Sequence, residues 1–198
     1  MKILIVGAGG TLGKAVVAEL GARHQIIEAG RSGAERVDMA DAQSVAALFA
    51  RIGTVDAIVS TAGSVHFGPL AEMTGDLFSV GLKDKLMGQV NLAMAGLKAL
   101  SDGGSITLTT GVLADEPIRY GASATMVNGA VEGFVRAAAI ELPRGIRINA
   151  VSPTVLVESL EHYAPYFRGF KPVSAADAAL GYSKSVEGAQ TGQIYKIG

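Results

Sequence analysis

The sequence predicts an α/β fold, a doubly wound parallel sheet of about seven strands with helices on both faces. Two observations carry this. Short apolar runs alternate with longer segments of helical spacing, as in repeated βαβ units. The runs are also apolar at consecutive positions, which suits strands covered on both sides. In order, "KILIV" (2–6) is the first strand, and Leu12, Ala15, Val16 and Leu20 mark the helix behind it. "HQIIEAG" (24–30) and "ERVDM" (35–39) are the second and third strands. Asp41 caps a helix that turns Val45, Leu48 and Phe49 inward. "VDAIVS" (55–60) is the fourth strand, and a long helix is expected over about 78–100. "SITLTT" (105–110) is the fifth, and residues 121–142 form a second long helix that Pro143 stops. "IRINAV" (146–151) is the sixth, "ADAALGYSKSV" (176–186) a further helix, and "GQIYKI" (192–197) the last strand.

The 198 residues suit one domain, 1–198, with a full core. Half the chain is apolar (49%), and the net charge is −1. No basic surplus exists to hold nucleic acid or an anionic membrane. Cysteine is absent, which excludes disulfides and thiolate metal sites, and no metal site is expected. No apolar run reaches the length of a membrane span, and "MKILIVGAGG" reads as a buried strand and turn rather than a leader. A cytoplasmic location fits this composition.

"VGAGGTLG" stands where the first strand meets the first helix. Gly7 permits the tight turn, Gly10 lets the backbone approach a pyrophosphate, and Gly13 lets helix and sheet pack closely. With Thr11 and Leu12 they present free N–H groups and the positive end of a helix to phosphate. That pattern makes the fold Rossmann-type. The second strand ends in Gly30, Arg31 and Ser32, where a NAD site usually has an acid. Arg31 and Ser32 suit a 2′-phosphate, so NADP (NADPH) is the expected cofactor. Glu28, two residues before Gly30, is a rival ribose ligand but reads as an ordinary strand residue. Asp38, with Met39, follows the third strand and is placed beside the adenine.

From these residues the chain resembles the short-chain dehydrogenase/reductase family over nearly its whole length. "AGR" (29–31) and "VDMAD" (37–41) look like the family's cofactor half. "STAG" (60–63) looks like its Asn-Ala-Gly motif, with Thr61 in place of Asn before Ala62 and Gly63. "VNLAMAG" (90–96) is similar to the helix of the family's active-site Asn, here Asn91, and "AVEGFVRAAAIELPRGIRINAVSPT" (130–154) is the most specific match. The resemblance implies a strand order of 3-2-1-4-5-6-7. It also implies a Tyr proton donor, a Lys one helical turn later that lowers the Tyr pKa and holds the nicotinamide ribose, and a Ser ending the fifth strand. A gapless alignment puts Ala124 at the Tyr, Asn128 at the Lys and Gly111 at the Ser. Asn128 can still bond a ribose hydroxyl. Ala124 can transfer no proton.

Substitutes are Tyr120, one turn upstream, and the hydroxyls of Thr109 and Thr110; Asn91, Thr110, Asn128 and Tyr120 form the candidate catalytic set. Ser123 and His66 are weaker candidates, and Lys83 and Lys85 read as solvated helix residues. Pro153 and Thr154 stand where the family has Pro-Gly beside the nicotinamide. The short segment after them, with Tyr163, Tyr166, Phe167 and Phe170, suggests a shallow apolar pocket or a partner surface.

The expected function is an NADP(H)-dependent oxidoreductase moving hydride to or from an unknown small-molecule carbonyl or alcohol. A catalytically silent NADP-binding sensor is the alternative, and a scaffold without nucleotide is a third, less favoured by Arg31 and the glycine loop. The resemblance implies a homodimer or homotetramer.

Overall fold

The computed structural model describes Met1–Gly198. Its elements are β1 (Lys2–Val6), α1 (Thr11–Gly21), β2 (Gln25–Gly30), β3 (Glu35–Arg36), α2 (Ala42–Ile52) and β4 (Val55–Ser60). Then follow α3 (Gly75–Gly81), a π-turn (Leu82–Met87), α4 (Gly88–Gly96), β5 (Leu100–Thr109), α5 (Ala122–Ala138), β6 (Arg147–Pro153), α6 (Leu160–Tyr163), α7 (Ala175–Glu187) and β7 (Ile194–Ile197). The seven strands form one sheet in the order β3-β2-β1-β4-β5-β6-β7, and each neighbouring pair is parallel. The chain crosses to one side of β1 for β2 and to the other for β4. The crevice between them, at the carboxyl ends of the strands, is where such sheets take ligands.

Ile3 to Val6 of β1 are all buried, as a doubly covered strand requires, and alternate between two core layers. Leu4 and Val6 join the larger core cluster with Val45 and Leu48 of α2, Leu92 of α4 and Val131 and Val135 of α5. Ile3 and Ile5 join the smaller one with Val16 and Leu20 of α1 and Tyr182 and Val186 of α7. Successive strand residues therefore serve opposite layers, which is why the runs show no polar alternation. No helix is long and apolar enough to cross a membrane.

Asp41 caps α2 as expected, accepting from the Gln43 N–H at 2.9 Å. Other boundaries move for local reasons. The third strand shrinks to Glu35–Arg36, because an edge strand has one neighbour and Val37 and Met39 turn inward into the core that α2 shares. The expected 78–100 helix begins at Gly75, where Thr74 caps it, and is interrupted by the Leu82–Met87 π-turn. The second long helix ends at Ala138, five residues before Pro143. Tyr120 lies in the turn ahead of that helix with φ of 67°, a left-handed conformation uncommon for a bulky side chain.

Candidate functional site

The glycine loop is built for close approach. Gly7 has φ of 89°, and a Cβ there would lie 2.8 Å from both Cβ and N of Ala62. A Cβ on Gly13 would fall 2.1 Å from the Gly7 carbonyl oxygen, so only glycine lets α1 start this near the sheet. Gly10 precedes α1 without a side-chain cap, and the first turn holds no acid. The N–H groups of Thr11, Leu12 and Gly13 therefore open the helix without a capping side chain, at its positive end.

A cavity of about 250 Å³ runs from this loop across the switch point, lined by Gly7, Gly10, Arg31, Asp38, Met39 and the Thr61–Ser64 segment. Arg31 is exposed at its rim and takes no part in the chain's ion pairs. Ser32 beside it is also exposed. Asp38 folds back, accepting from the Ala40 N–H at 3.0 Å, and Met39 is buried beneath it. Thr61 is anchored twice to the Val6 carbonyl, through N–H at 2.8 Å and hydroxyl at 3.2 Å. These residues fit a dinucleotide: a glycine cradle that any side chain would fill, a free helix terminus and an unpaired guanidinium. Asp84 also lines the cavity, its carboxylate accepting from the Ser64 N–H at 3.0 Å.

The other end of the crevice lies over β5 and β6. Gly111 is extended, and a Cβ on it would stand 3.3 Å from Asn128 Nδ2 and 3.7 Å from the Pro153 carbonyl oxygen. Asn128 is 3% exposed, and its Oδ1 has no hydrogen-bond partner. The Thr110 hydroxyl donates to the Asn128 carbonyl at 3.2 Å. Ala124 is buried, and the Ser123 hydroxyl beside it is buried without a partner. Thr109, by contrast, is consumed inside the sheet layer, bonded to the Ser60 carbonyl and the Tyr182 hydroxyl. Burial raises the Tyr182 pKa well above its usual value.

The structure thus brings Thr110, Asn128 and Pro153 together around Gly111. It does not bring Asn91 there: its amide donates to the Met39 carbonyl at 3.4 Å, beside the third strand. Thr154 is buried with its methyl 2.8 Å from where a Cβ on Gly198 would stand. Tyr120 lines an apolar pocket of about 280 Å³ with Phe67, Pro69, Ile118, Tyr163 and Tyr166. Its ring meets that of Tyr166 edge-on at 6.0 Å. This is the apolar pocket that the short aromatic segment suggested.

Two residues at the crevice carry more than the sequence indicates. Lys85 sits in the π-turn, half-buried, with its stem against Gly63: a Cβ on Gly63 would lie 2.7 Å from Lys85 Cγ. Its ammonium donates to the Thr110 carbonyl at 3.4 Å, and desolvation pushes its pKa down to about 8. Gln89, fully buried, holds the turn in place. Its amide donates to the carbonyls of Lys85 (3.1 Å) and Thr109 (2.9 Å), and its oxygen accepts from the Thr109 N–H at 2.8 Å. A π-turn adds a residue to one turn and rotates the following face by about 100°. Regular helical spacing therefore misassigns Lys85 to the solvated side. A Gln in an apolar helix segment was the one available signal.

Comparison with known proteins agrees with this architecture. A family model described as enoyl-(acyl carrier protein) reductase matches residues 7–191. Versicolorin reductase 1 of Dothistroma septosporum is 29% identical over 195 residues, covering 85% of this chain and 73% of that protein. The crystal structure of the protein lin1944 from Listeria innocua is 51% identical, with a TM-score of 0.98 and full coverage of both chains. A small-chain dehydrogenase crystallised in complex with NADPH shares the fold at a TM-score of 0.89 and 24% identity, over 100% of this chain and 96% of that one. The strand order, the glycine loop and a family match spanning almost the whole sequence lead to one assignment: the chain belongs to the short-chain dehydrogenase/reductase family of oxidoreductases.

Proposed function

We propose that the protein is an NADP(H)-dependent oxidoreductase that transfers hydride to or from a small carbonyl or alcohol compound, with Gly111, Ala124 and Asn128 in place of Ser, Tyr and Lys. The observation that carries this reading is the crevice at the switch point, with its glycine cradle and Arg31 unpaired at the rim. Gly7, Gly10, Thr11, Leu12 and Gly13 would hold the pyrophosphate, and Arg31 with Ser32 the 2′-phosphate. Asp38 and Met39 would flank the adenine, and Thr61 to Gly63 the adjoining ribose. Asn128 and the Pro153-Thr154 corner would meet the nicotinamide end. When bound, the cofactor supplies or accepts the hydride. The apolar Phe67, Tyr120, Tyr163 and Tyr166 pocket supports an apolar or aromatic substrate. The relative's description as a reductase supports reduction as the direction.

Titration calorimetry with NADPH and NADH, followed by NADPH oxidation over a panel of aromatic and aliphatic carbonyls, tests the reading. Tighter NADPH binding and turnover above blank are expected; no binding of either nucleotide contradicts it. The second reading, a silent NADP-binding sensor, rests on the buried Ala124, which offers no proton where the family keeps its donor. It requires tight binding with no turnover on any carbonyl.

A further inference from the structure

We infer that Lys85 is the acid of this site, giving its ammonium proton to the substrate oxygen as hydride reaches the carbonyl carbon. The inference rests on the reductase reading above and deepens it. An ammonium has three donor hydrogens. Lys85 places one of them, at 3.4 Å, on the Thr110 carbonyl, and joins no ion pair. A half-buried cation with two unplaced donors costs stability unless a ligand meets them. Its location is specific. Thr110 precedes Gly111, the residue in place of the family's Ser, which packs so close to Asn128 that a Cβ would stand 3.3 Å from Asn128 Nδ2. The Lys85 stem reaches the Thr110 carbonyl across Gly63, where any Cβ would clash with it, and Gln89 bonds the Lys85 carbonyl. Asn128, whose carbonyl accepts from the Thr110 hydroxyl, keeps its buried Oδ1 without a partner.

In the step, Lys85 would give one N–H proton to the carbonyl oxygen, and a bound reduced nicotinamide would supply the hydride that the carbonyl carbon takes. The products are the alcohol, the oxidised nicotinamide and a neutral amine, which regains a proton from water. A Lys with pKa near 8 is matched to this task at neutral pH. The charged groups around it do not neutralise it. Asp84, on its own turn, is engaged by the Ser64 N–H. Glu132, on α5, is held by Arg136 at 2.9 Å and lies 3.4 Å from the Thr110 hydroxyl. Lys83 is exposed, and His66 on the segment after β4 makes no ion pair.

Lys85→Met and Lys85→Arg test the inference in the intact protein, alongside acetic anhydride labelling of Lys85 followed by mass spectrometry across pH. The labelling midpoint of Lys85 is expected near pH 8, below the ordinary lysine value of 10.5. Both variants should bind NADPH within about threefold of wild type yet lose about a hundredfold in kcat. Lys85→Arg keeps the charge but holds its proton too tightly to give it up. Wild-type kcat for reduction should fall as pH rises through 8. Full turnover by either variant, or a Lys85 midpoint at the ordinary lysine value of 10.5, overturns the assignment and leaves the reductase reading standing. Wild-type protein that binds NADPH and reduces nothing overturns both.

Discussion

The two halves of the crevice are built to different standards. The proposed nucleotide half, β1 to β4, has a glycine cradle and a free helix terminus that fit a dinucleotide. Gly7 and Gly13 are held by contacts that no other residue tolerates, and Arg31 waits unpaired at the rim. The half over β5, β6 and α5 keeps the backbone of an oxidoreductase site but not its side chains. Gly111, Ala124 and Asn128 stand in place of its Ser, Tyr and Lys, and nearby polar atoms are underused: Asn128 Oδ1 has no partner, and Lys85 has one long bond. Buried polar atoms without partners are rare where only stability is at stake.

Substitutions should separate the halves. The largest effect is expected at Gly13→Ala, where the new Cβ meets the Gly7 carbonyl at 2.1 Å. Urea denaturation should show a loss of about 3 kcal/mol, and NADPH should no longer raise the Tm. Arg31→Ala should leave folding unchanged and weaken NADPH about 10- to 100-fold by calorimetry, with NADH unaffected. Asn128→Ala should weaken NADPH about fivefold while leaving the Tm unchanged or raised, since it deletes an unpartnered buried amide.

Lys85→Met should stabilise the protein. The Lys85 pKa is depressed to about 8 from 10.5 on folding, so its ammonium costs stability below pH 8 and the cost fades between those values. The Tm gain, about 2–4 °C per kcal/mol for a chain this size, should be present at pH 7 and gone near pH 10.5. The smallest effect is expected at Tyr120→Phe. The ring keeps its contact with Tyr166, and its hydroxyl makes no hydrogen bond, so turnover should stay within about twofold. A large loss there would move the proton donor from Lys85 to Tyr120.

The fold was legible because its signals are local. Runs such as "KILIV" and "VDAIVS" are strands whichever neighbours they take, and the glycine spacing sets one strand–turn–helix unit. The nucleotide half shares that locality, as its residues come from four consecutive strand ends. The catalytic half does not. Lys85 bonds Thr110 from within a π-turn, where Gln89, four residues on, bonds its carbonyl. Asn91 shows the converse: the same turn rotates its face toward Met39. Tyr120 reads as the start of a helix, but the chain takes a left-handed turn there and aims the ring into the aromatic pocket. Such outcomes depend on contacts between elements, and a helical period cannot report them.

The central claim is that the nucleotide half is intact and selects the 2′-phosphate. Calorimetric titration of wild-type protein with NADPH and then NADH tests it most directly. The account predicts saturable NADPH binding at least about tenfold tighter than NADH, with the gap removed in Arg31→Ala. Equal affinities, tighter NADH, or no heat from either nucleotide would contradict it.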